Sequence, residues 1–298
     1  MKSKLIPLLC ITLHLCAQGA WAQVPDGSDM HLPRTPFRLQ SRAEVQLPPA
    51  VDNSTRKFFP PILDQMGGSC AQASGIGYMF TYEINRLLDR DAHASADHRF
   101  SYQFSWNLLN DGQDQGDFVD QGLYLSERYG IMTEQDYGIS GTYQFKWATG
   151  YDKYYKALQY RTQEVLTFAD SIPLMKRWLY DAGDGSAVGG VLTFSAMSRG
   201  WEIDDDYQGP SLTGYRSLLK GLATDGAHAL TIAGYDDTVV YTDAQGTPHT
   251  GAFIVVNSWG THSHDHGRFY LPYDFFRDAR VPEQQLGSTV EAIRVRIH

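Results

Sequence analysis

The chain has 298 residues, which is long enough to bury an ordinary hydrophobic core as one large domain or as two lobes. Its formal net charge is -9 and it contains no long basic run, so nucleic acid is excluded as a partner. No segment approaches the roughly 20 apolar residues that a membrane helix needs, which excludes an integral membrane protein.

Residues 1–22 have the pattern of a cleaved secretory signal. Two lysines precede an apolar run over residues 5–17, and the tripeptide Ala-Trp-Ala follows. We therefore expect a secreted or periplasmic protein with no membrane contact after cleavage. Cys10 and Cys16 would leave with the signal, so Cys70 would remain as the one thiol and no intrachain disulfide could form.

Residues 23–46 form a short leader between the signal and the rest of the chain. The stretch is rich in proline and polar residues and has no apolar periodicity, so it cannot form a core of its own. We expect the leader to be flexible or to lie on the body of the protein. Residues 47–298 are expected to form the folded domain.

Cys70 lies at the predicted start of a helix, because apolar residues recur after it at steps of three and four. The series is Ala73, Ile76, Phe80, Ile84 and Leu87. Small residues crowd the first turn and indicate close packing, since glycine costs about 1 kcal/mol relative to alanine in a helix. An isolated cysteine is most often a packed side chain. At a buried helix start, however, the helix dipole and the free N–H groups favour a reactive thiolate.

Two predicted strands carry a histidine and an asparagine. His228 begins a near-continuous apolar run, and a second run, AFIVV, leads to Asn257. The residues between the runs are typical of a turn, so antiparallel pairing would bring His228 near Asn257. The most turn-like residues come slightly after the midpoint, which demands a bulge or a stagger. Taken alone, a histidine at a strand end is most often a structural side chain.

Cys70, His228 and Asn257 follow one another in an order that resembles the papain-like cysteine peptidases (family C1, clan CA). DQMGGSCA is similar to the nucleophile loop of that family, GAHALTIAGY to its histidine strand and VVNSWG to its asparagine motif. Weaker similarities fill the intervals between these motifs, from residue 47 to the C-terminus. No single motif is specific, but their order along the chain is.

The resemblance implies an α+β, papain-like fold with two lobes. A helical lobe would cover about 65–160 and a β-rich, barrel-like lobe about 161–298, with the active site in the cleft between them. It also implies cysteine-dependent hydrolysis of bonds in a peptide or protein substrate, with no cofactor and no metal.

The resemblance also implies a role for each matching residue. Cys70 would attack the peptide carbonyl, and His228 would hold the proton and later deliver it to the leaving amine. The His228 imidazolium is expected to stabilise the Cys70 thiolate. Asn257 would orient the imidazole, and Trp259 would cover the bond between them. Gln65 would donate its side-chain amide to the oxyanion, beside the Cys70 backbone N–H.

The expected substrate-binding residues are Gly68, Gly116, Asp117 and Trp259. Papain-like peptidases carry paired glycines that let the substrate backbone lie flat in the cleft, and Gly116 and Asp117 match those positions. A side chain at the second position is expected to narrow this rim.

The nucleophile loop departs from the family pattern. The spacing from Gln65 to Cys70 is one residue shorter, Ala71 replaces the tryptophan that commonly follows the nucleophile, and the framework cysteines are missing. Two other functions therefore stay open. One is a papain-fold binding or inhibitory protein that has lost turnover, and the other is transglutaminase-like acyl transfer, in which an amine replaces water. The intact Cys, His and Asn set argues against the binding protein.

A histidine cluster follows the asparagine motif, with His262, His264 and His266 on alternate residues around Asp265. In a strand, this alternation would place three imidazoles on one face, as a transition-metal site requires. Papain-like peptidases have a variable loop at this place, so we interpret the segment as a solvated loop and expect no metal.

The resemblance suggests one possible role for the leader. An extended peptide could lie across the active site, held by Leu32 or Phe37, and be removed near residues 43–47. An unstructured leader without effect on activity is the equal alternative.

Overall fold

A computed structural model describes residues 30–39, 45–111, 113–138, 148–242, 246–280 and 290–298. The predicted signal lies outside this part of the chain, and so do residues 23–29 and 40–44 of the leader. Among the helices of the described residues, none combines the length and the apolar character that a membrane crossing requires.

The strands of the described residues form one mixed sheet. They are β1 (Arg34–Pro36), β2 (Ala50–Asp52), β3 (Tyr160–Thr167), β4 (Leu192–Arg199), β5 (Glu202–Asp204), β6 (Leu218–Gly221), β7 (Asp225–Thr242), β8 (Pro248–Val256), β9 (Arg268–Pro272) and β10 (Glu291–Ile297). Their order is β1-β3-β10-β4-β7-β8-β9-β6-β5, and β2 pairs with β7 outside this path. Strands β7 and β8 contain long runs of buried residues, as strands covered on both faces require.

Helices dominate the chain between residues 70 and 157. They are α1 (Cys70–Gln72), a π-helical segment (Ala73–Phe80), α2 (Thr81–Leu88), α3 (Tyr102–Asn110), α4 (Val119–Tyr129), α5 (Glu134–Tyr137) and α6 (Tyr151–Ala157). Two later helices, α7 (Ile172–Asp181) and α8 (Tyr273–Ala279), lie among the strands. The predicted α+β class is therefore confirmed, while the division into two lobes stays a prediction.

The central helix consists of α1, the π-helical segment and α2 in direct succession. Its small residues allow neighbouring elements to approach closely, as the sequence predicted. A Cβ atom on Gly75 would lie 2.9 Å from Val119 Cγ1, and one on Gly77 would lie 2.6 Å from Leu63 Cδ1. Larger side chains at either glycine would therefore push the central helix away from its neighbours.

The predicted apolar face of this helix is buried over most of its length. Its buried members are Ala73, Ile76, Phe80 and Ile84. Leu87, the last member of the series, is helical as predicted but is 56% exposed. The last turn of α2 extends beyond the core, and the helix then ends at Asp89 in the left-handed conformation, with φ 53°.

Strands β7 and β8 form the antiparallel pair that the sequence predicted. Thr242 pairs with Pro248 near the turn, whereas Thr231 pairs with Val256 at the far end. Two register shifts separate these pairs and supply the predicted stagger. They bring the start of β7, which carries His228, to the end of β8.

The described part of the leader lies along the edge of the sheet. Strand β1 pairs in parallel with β3, four strand positions from β7. Phe37 is only 5% exposed, and its ring centroid lies 4.8 Å from that of Phe168 and 5.6 Å from that of Trp178. Leu32 packs against a second apolar cluster, around the central helix. This part of the leader therefore lies on the body of the protein, while its effect on activity stays a prediction.

Candidate active site

Cys70 is the first residue of the central helix, and the start of this helix packs against β7. The backbone N–H of Ala229, the residue after His228, is close enough to the Cys70 sulfur to favour its thiolate. The backbone N–H groups of Cys70 and Ala71 also favour the thiolate. The fold therefore brings the Cys70 sulfur beside the peptide group that follows His228.

Buried hydroxyl groups fix the central helix against the strands. Ser74 Oγ forms hydrogen bonds with Thr193 Oγ1 at 2.6 Å and with Thr231 Oγ1 at 2.9 Å. The Tyr78 hydroxyl donates to the backbone carbonyl of Asn257 at 2.9 Å. These contacts set the distance between the helix start and the ends of β7 and β8. Sequence reasoning missed them, because each joins residues that are far apart in the chain.

His228 and Asn257 are joined by a side-chain hydrogen bond. His228 Nε2 lies 2.8 Å from Asn257 Oδ1, and the two residues are 5% and 0% exposed. Asn257 Oδ1 also accepts the backbone N–H of Ser258 at 2.8 Å, which identifies this atom as the amide oxygen. His228 Nε2 must then carry a hydrogen, and Nδ1 of the neutral ring is left as the basic nitrogen.

Trp259 stacks on the His228 ring. The ring centroids are 4.7 Å apart and the planes are inclined by 24°. Trp259 also forms an isolated antiparallel bridge with Asp64, just before Gln65. The tryptophan therefore lies over the histidine ring, while its cover of the hydrogen bond between His228 and Asn257 and its contact with substrate stay predictions.

Gln65 is held in place by both ends of its side-chain amide. Its Oε1 accepts the Ser258 hydroxyl at 2.6 Å, and its Nε2 donates to the Gly67 carbonyl at 2.9 Å. The Gln65 backbone N–H donates to the Ser258 carbonyl at 2.7 Å. One Nε2 hydrogen is therefore committed to the loop, and the second is the one that could reach an oxyanion. Ser258, which tethers Gln65 beside Asn257, was not singled out from the sequence.

The loop at residues 113–118 lies against the nucleophile loop. A Cβ atom on Gly68 would lie 2.9 Å from the backbone nitrogen of Gly116, so this position requires glycine. Gly116 is exposed, whereas Asp117 is half-buried. The Asp117 carboxylate accepts hydrogen bonds from Gln72 Nε2 and Asn110 Nδ2, both at 3.1 Å. Asp117 is thus tied to the central helix and α3, whereas the sequence suggested only that it narrows the rim.

Burial has the largest effect on the pKa values of the Cys70 thiol and the His228 imidazole. It raises the pKa of the Cys70 thiol, an effect that the Ala229 N–H opposes and the Asp117 carboxylate reinforces. Burial also lowers the pKa of His228 to about 4, against the effect of the Asn257 hydrogen bond. Both effects favour a neutral thiol and a neutral imidazole, not the imidazolium–thiolate pair expected from the sequence. A neutral His228 could act as the base that accepts the Cys70 thiol proton.

The histidine cluster does not form a strand face. His266 is exposed, as a solvated loop predicts, but the interpretation is wrong for His264, whose side chain is only 12% exposed. His264 Nε2 lies 3.3 Å from Asn257 Nδ2. Within the described residues, no group of histidine, cysteine or acidic side chains is arranged to hold a metal ion.

Solved structures share the fold of this chain. Xylellain, a cysteine protease from Xylella fastidiosa, is 18% identical with a TM-score of 0.58, and the match covers 90% of this chain and 94% of that one. Procathepsin B from Trypanosoma congolense is 15% identical with a TM-score of 0.55, covering 88% and 82% of the two chains. The digestive procathepsin L2 from Tenebrio molitor is 15% identical with a TM-score of 0.55, covering 89% and 75%. No family model and no curated protein matches the sequence.

These likenesses extend over most of each chain, and they establish that this protein has the fold of the papain-like cysteine proteases. The predicted resemblance and fold class are therefore confirmed. At this level of identity, the roles of Cys70, His228, Asn257 and Gln65 stay predictions.

Proposed function

We propose that the protein is a cysteine peptidase that hydrolyses peptide bonds with Cys70, His228 and Asn257. The observation that carries the proposal is the orientation of His228. Asn257 fixes the hydrogen on Nε2, while the next residue, Ala229, contacts the Cys70 sulfur. A nucleophile, a base and a group that orients the base are the three components of covalent acyl transfer.

In the first half of the reaction, the Cys70 sulfur attacks the carbonyl carbon of the peptide bond. The neutral His228 accepts the thiol proton at Nδ1, and Asn257 Oδ1 stabilises the resulting imidazolium through the Nε2–H hydrogen bond. The carbonyl electron pair moves to oxygen, beside the backbone N–H of Cys70 and the free amide hydrogen of Gln65.

The tetrahedral intermediate then collapses to a thioester on Cys70. The C–N bond breaks, and the leaving amine takes the proton from His228. In the second half, water attacks the thioester carbon while His228 accepts a proton from it. The carbon–sulfur bond breaks, the carboxylic acid leaves and the thiol regains its proton from His228.

The substrate is proposed to be a peptide or protein chain that lies over the backbone of Gly68 and Gly116, between Asp117 and Trp259. Gly68 supports this placement because it has no side chain to block the close approach of the two loops. The signal-like residues 1–22 support action outside the cytoplasm, in the medium or the periplasm.

Acyl transfer to an amine uses the same residues and is the second candidate function. A binding or inhibitory protein without turnover is the third. The buried hydrogen bond between His228 and Asn257 favours the two enzymatic functions over the binding function, because a binding surface does not require an oriented imidazole.

The proposal is tested with mixed fluorogenic peptides and a thiol-directed epoxide. We expect hydrolysis and a one-epoxide mass increase on Cys70 in the wild type, and neither in Cys70→Ala. Circular dichroism would verify that the variant is folded. An amine added to the reaction would appear in the product mass if acyl transfer competes. Hydrolysis at the wild-type rate by Cys70→Ala would overturn the proposal.

A further inference from the structure

The loop that follows Asn257 places His264, whose side chain is 12% exposed, against the Asn257 side-chain amide. We propose that His264 is a positioning residue, which accepts a hydrogen bond from the Asn257 side-chain amide and so holds the group that orients His228. The inference rests on the proposed function of His228 and Asn257. Only the neutral form of His264 can accept this bond, so the loop makes the site sensitive to acid.

The direction of the hydrogen bond follows from the contacts of Asn257. Its Oδ1 is identified by the backbone N–H of Ser258, so the other end of the amide is Nδ2, which can only donate. Nδ2 lies 3.3 Å from His264 Nε2, which must therefore be unprotonated to accept. The ring hydrogen then belongs to Nδ1, which lies 3.7 Å from Asp205 Oδ1. Asp205 thus favours the tautomer that Asn257 needs.

The packing around His264 holds the ring at this angle. Its centroid lies 5.1 Å from that of Phe269 and 6.2 Å from that of Trp259, the residue that stacks on His228. The His264 backbone is in the left-handed region, with φ 49°, so the residue does not continue a strand. His266 has a similar φ of 51° but is 81% exposed, so backbone conformation alone does not bury a histidine in this loop.

Protonation of His264 would break its hydrogen bond with the Asn257 amide. The titratable groups that face it are Asp205, just after β5, and His228 on β7. Phe269 on β9 and Trp259 supply the apolar remainder of its surroundings. A hydrogen on His264 Nε2 would point at the N–H of Asn257, and its positive charge would oppose the charge that His228 acquires in the reaction. Burial lowers the pKa of His264 and Asp205 opposes this effect, so the break would occur at acidic pH.

Two substitutions at His264 distinguish the effect of losing the hydrogen bond with Asn257 from the effect of losing the imidazole ring. In His264→Gln, an amide oxygen can accept from Asn257 and does not titrate. In His264→Asn, the shorter side chain is tolerated in the left-handed backbone but does not reach. His266→Gln, in the same loop and exposed, is the matched control.

We expect kcat of His264→Asn to be roughly 2- to 10-fold lower than wild type at about pH 7.5 with KM unchanged, which is the net value of one neutral hydrogen bond. His264→Gln should retain most of its activity there and lose less than wild type between about pH 7.5 and about pH 5. His266→Gln should follow the wild-type profile throughout. Profiles that coincide for the wild type and both His264 variants would overturn the inference.

Nuclear magnetic resonance of the Asn257 side-chain amide tests the contact without any turnover. In the wild type its proton and nitrogen shifts should show one step at the pKa of His264 and one at the pKa of His228, and in His264→Gln only the His228 step should remain. An unchanged titration in His264→Gln would refute the role of His264. If the amide behaves as expected but no peptide is hydrolysed, the proposed function fails and the positioning contact stands.

Discussion

The two sides of the candidate site are built differently. The strand side consists of His228 and Asn257, which are at most 5% exposed and share a hydrogen bond of 2.8 Å. The loop side consists of residues 65–69 and the facing residues 113–118, where Gln65 is half-buried and Gly116 is exposed. On the strand side the β-ladder sets the geometry, whereas on the loop side individual side chains such as Ser258 set it.

The comparison shows that strand residues and loop residues of the candidate site are positioned by different kinds of contact. A strand residue follows the register of the entire strand pair, so a one-residue error would displace the whole buried face. A loop residue depends on a few contacts from distant segments, and each contact can be lost on its own. We therefore expect substitutions on the strand side to reduce activity more than substitutions on the loop side.

The largest effect is expected for His228→Ala on the strand side. Loss of the base should lower kcat by about 10³-fold, within the range that general acid–base catalysis contributes. Steady-state kinetics on a fluorogenic peptide measures this, with the exposed His262→Ala as control. A loss of less than about 10-fold would mean that another group accepts the thiol proton.

Asn257→Ala is expected to have the next largest effect. The His228 ring would lose its orienting hydrogen bond but keep the stacking of Trp259, so kcat should fall by about 10²-fold and some activity should remain. Cys70→Ala should retain none, since geometry cannot replace the nucleophile. Wild-type kcat in Asn257→Ala would show that the hydrogen bond has no role in orienting the base.

On the loop side, Gln65→Ala should cost only about 10-fold in kcat. This is less than the loss of a full oxyanion donor, because the Gly67 hydrogen bond fixes the plane of the Gln65 amide, so its second hydrogen cannot turn to align with the oxyanion. Ser258→Ala removes only the tether of Gln65, and we expect a smaller loss from it. The exposed Gln113→Ala is the control. A loss in Gln65→Ala as large as in His228→Ala would erase the distinction between the two sides.

The last prediction concerns the effect of Asp117 ionisation on the stability of the folded protein. Burial raises the pKa of Asp117 to about 7, against hydrogen bonds from Gln72 and Asn110. A raised pKa in the folded state means that its contribution to stability is fully present below about pH 4 and is lost as the pH rises through about 7. Asn at position 117 does not titrate, so Asp117→Asn should not lose this stability as the pH rises.

The melting temperature of Asp117→Asn, relative to wild type, should therefore be higher at about pH 8 than at about pH 4, by roughly 5 to 10 °C. Differential scanning calorimetry at both pH values measures the difference. A difference that does not change with pH would show that the Asp117 carboxylate titrates normally.

The strand side could be predicted from the sequence almost in full. Apolar runs located β7 and β8, and the position of the turn-like residues indicated the stagger that the two register shifts provide. The start of the central helix followed from its periodicity and its small residues. The exposure of Leu87 could not be predicted, because periodicity shows which face of a helix is apolar but not where the core ends.

The contacts that tune the site could not be predicted. Gln65 is held by Ser258 and Asp117 by Gln72, residues that lie far away in the chain, and no local pattern records these contacts. His264 lies in a sequence that suggested either a metal site or a solvated loop. Its actual position depends on packing against Phe269 and Trp259 and on the contact with Asn257, which alternation of histidines does not reveal.

The pH dependence of Cys70 alkylation tests the central claim, that His228 activates Cys70. Iodoacetamide labelling of the wild type and of His228→Ala would be followed by mass spectrometry across the pH range. Because burial lowers the pKa of His228 to about 4, the neutral ring can accept the thiol proton above that pH, so wild-type labelling should rise through about pH 4 and stay fast at neutrality. The variant should label appreciably only at alkaline pH, where the thiol itself ionises. Two superimposable curves would contradict the account.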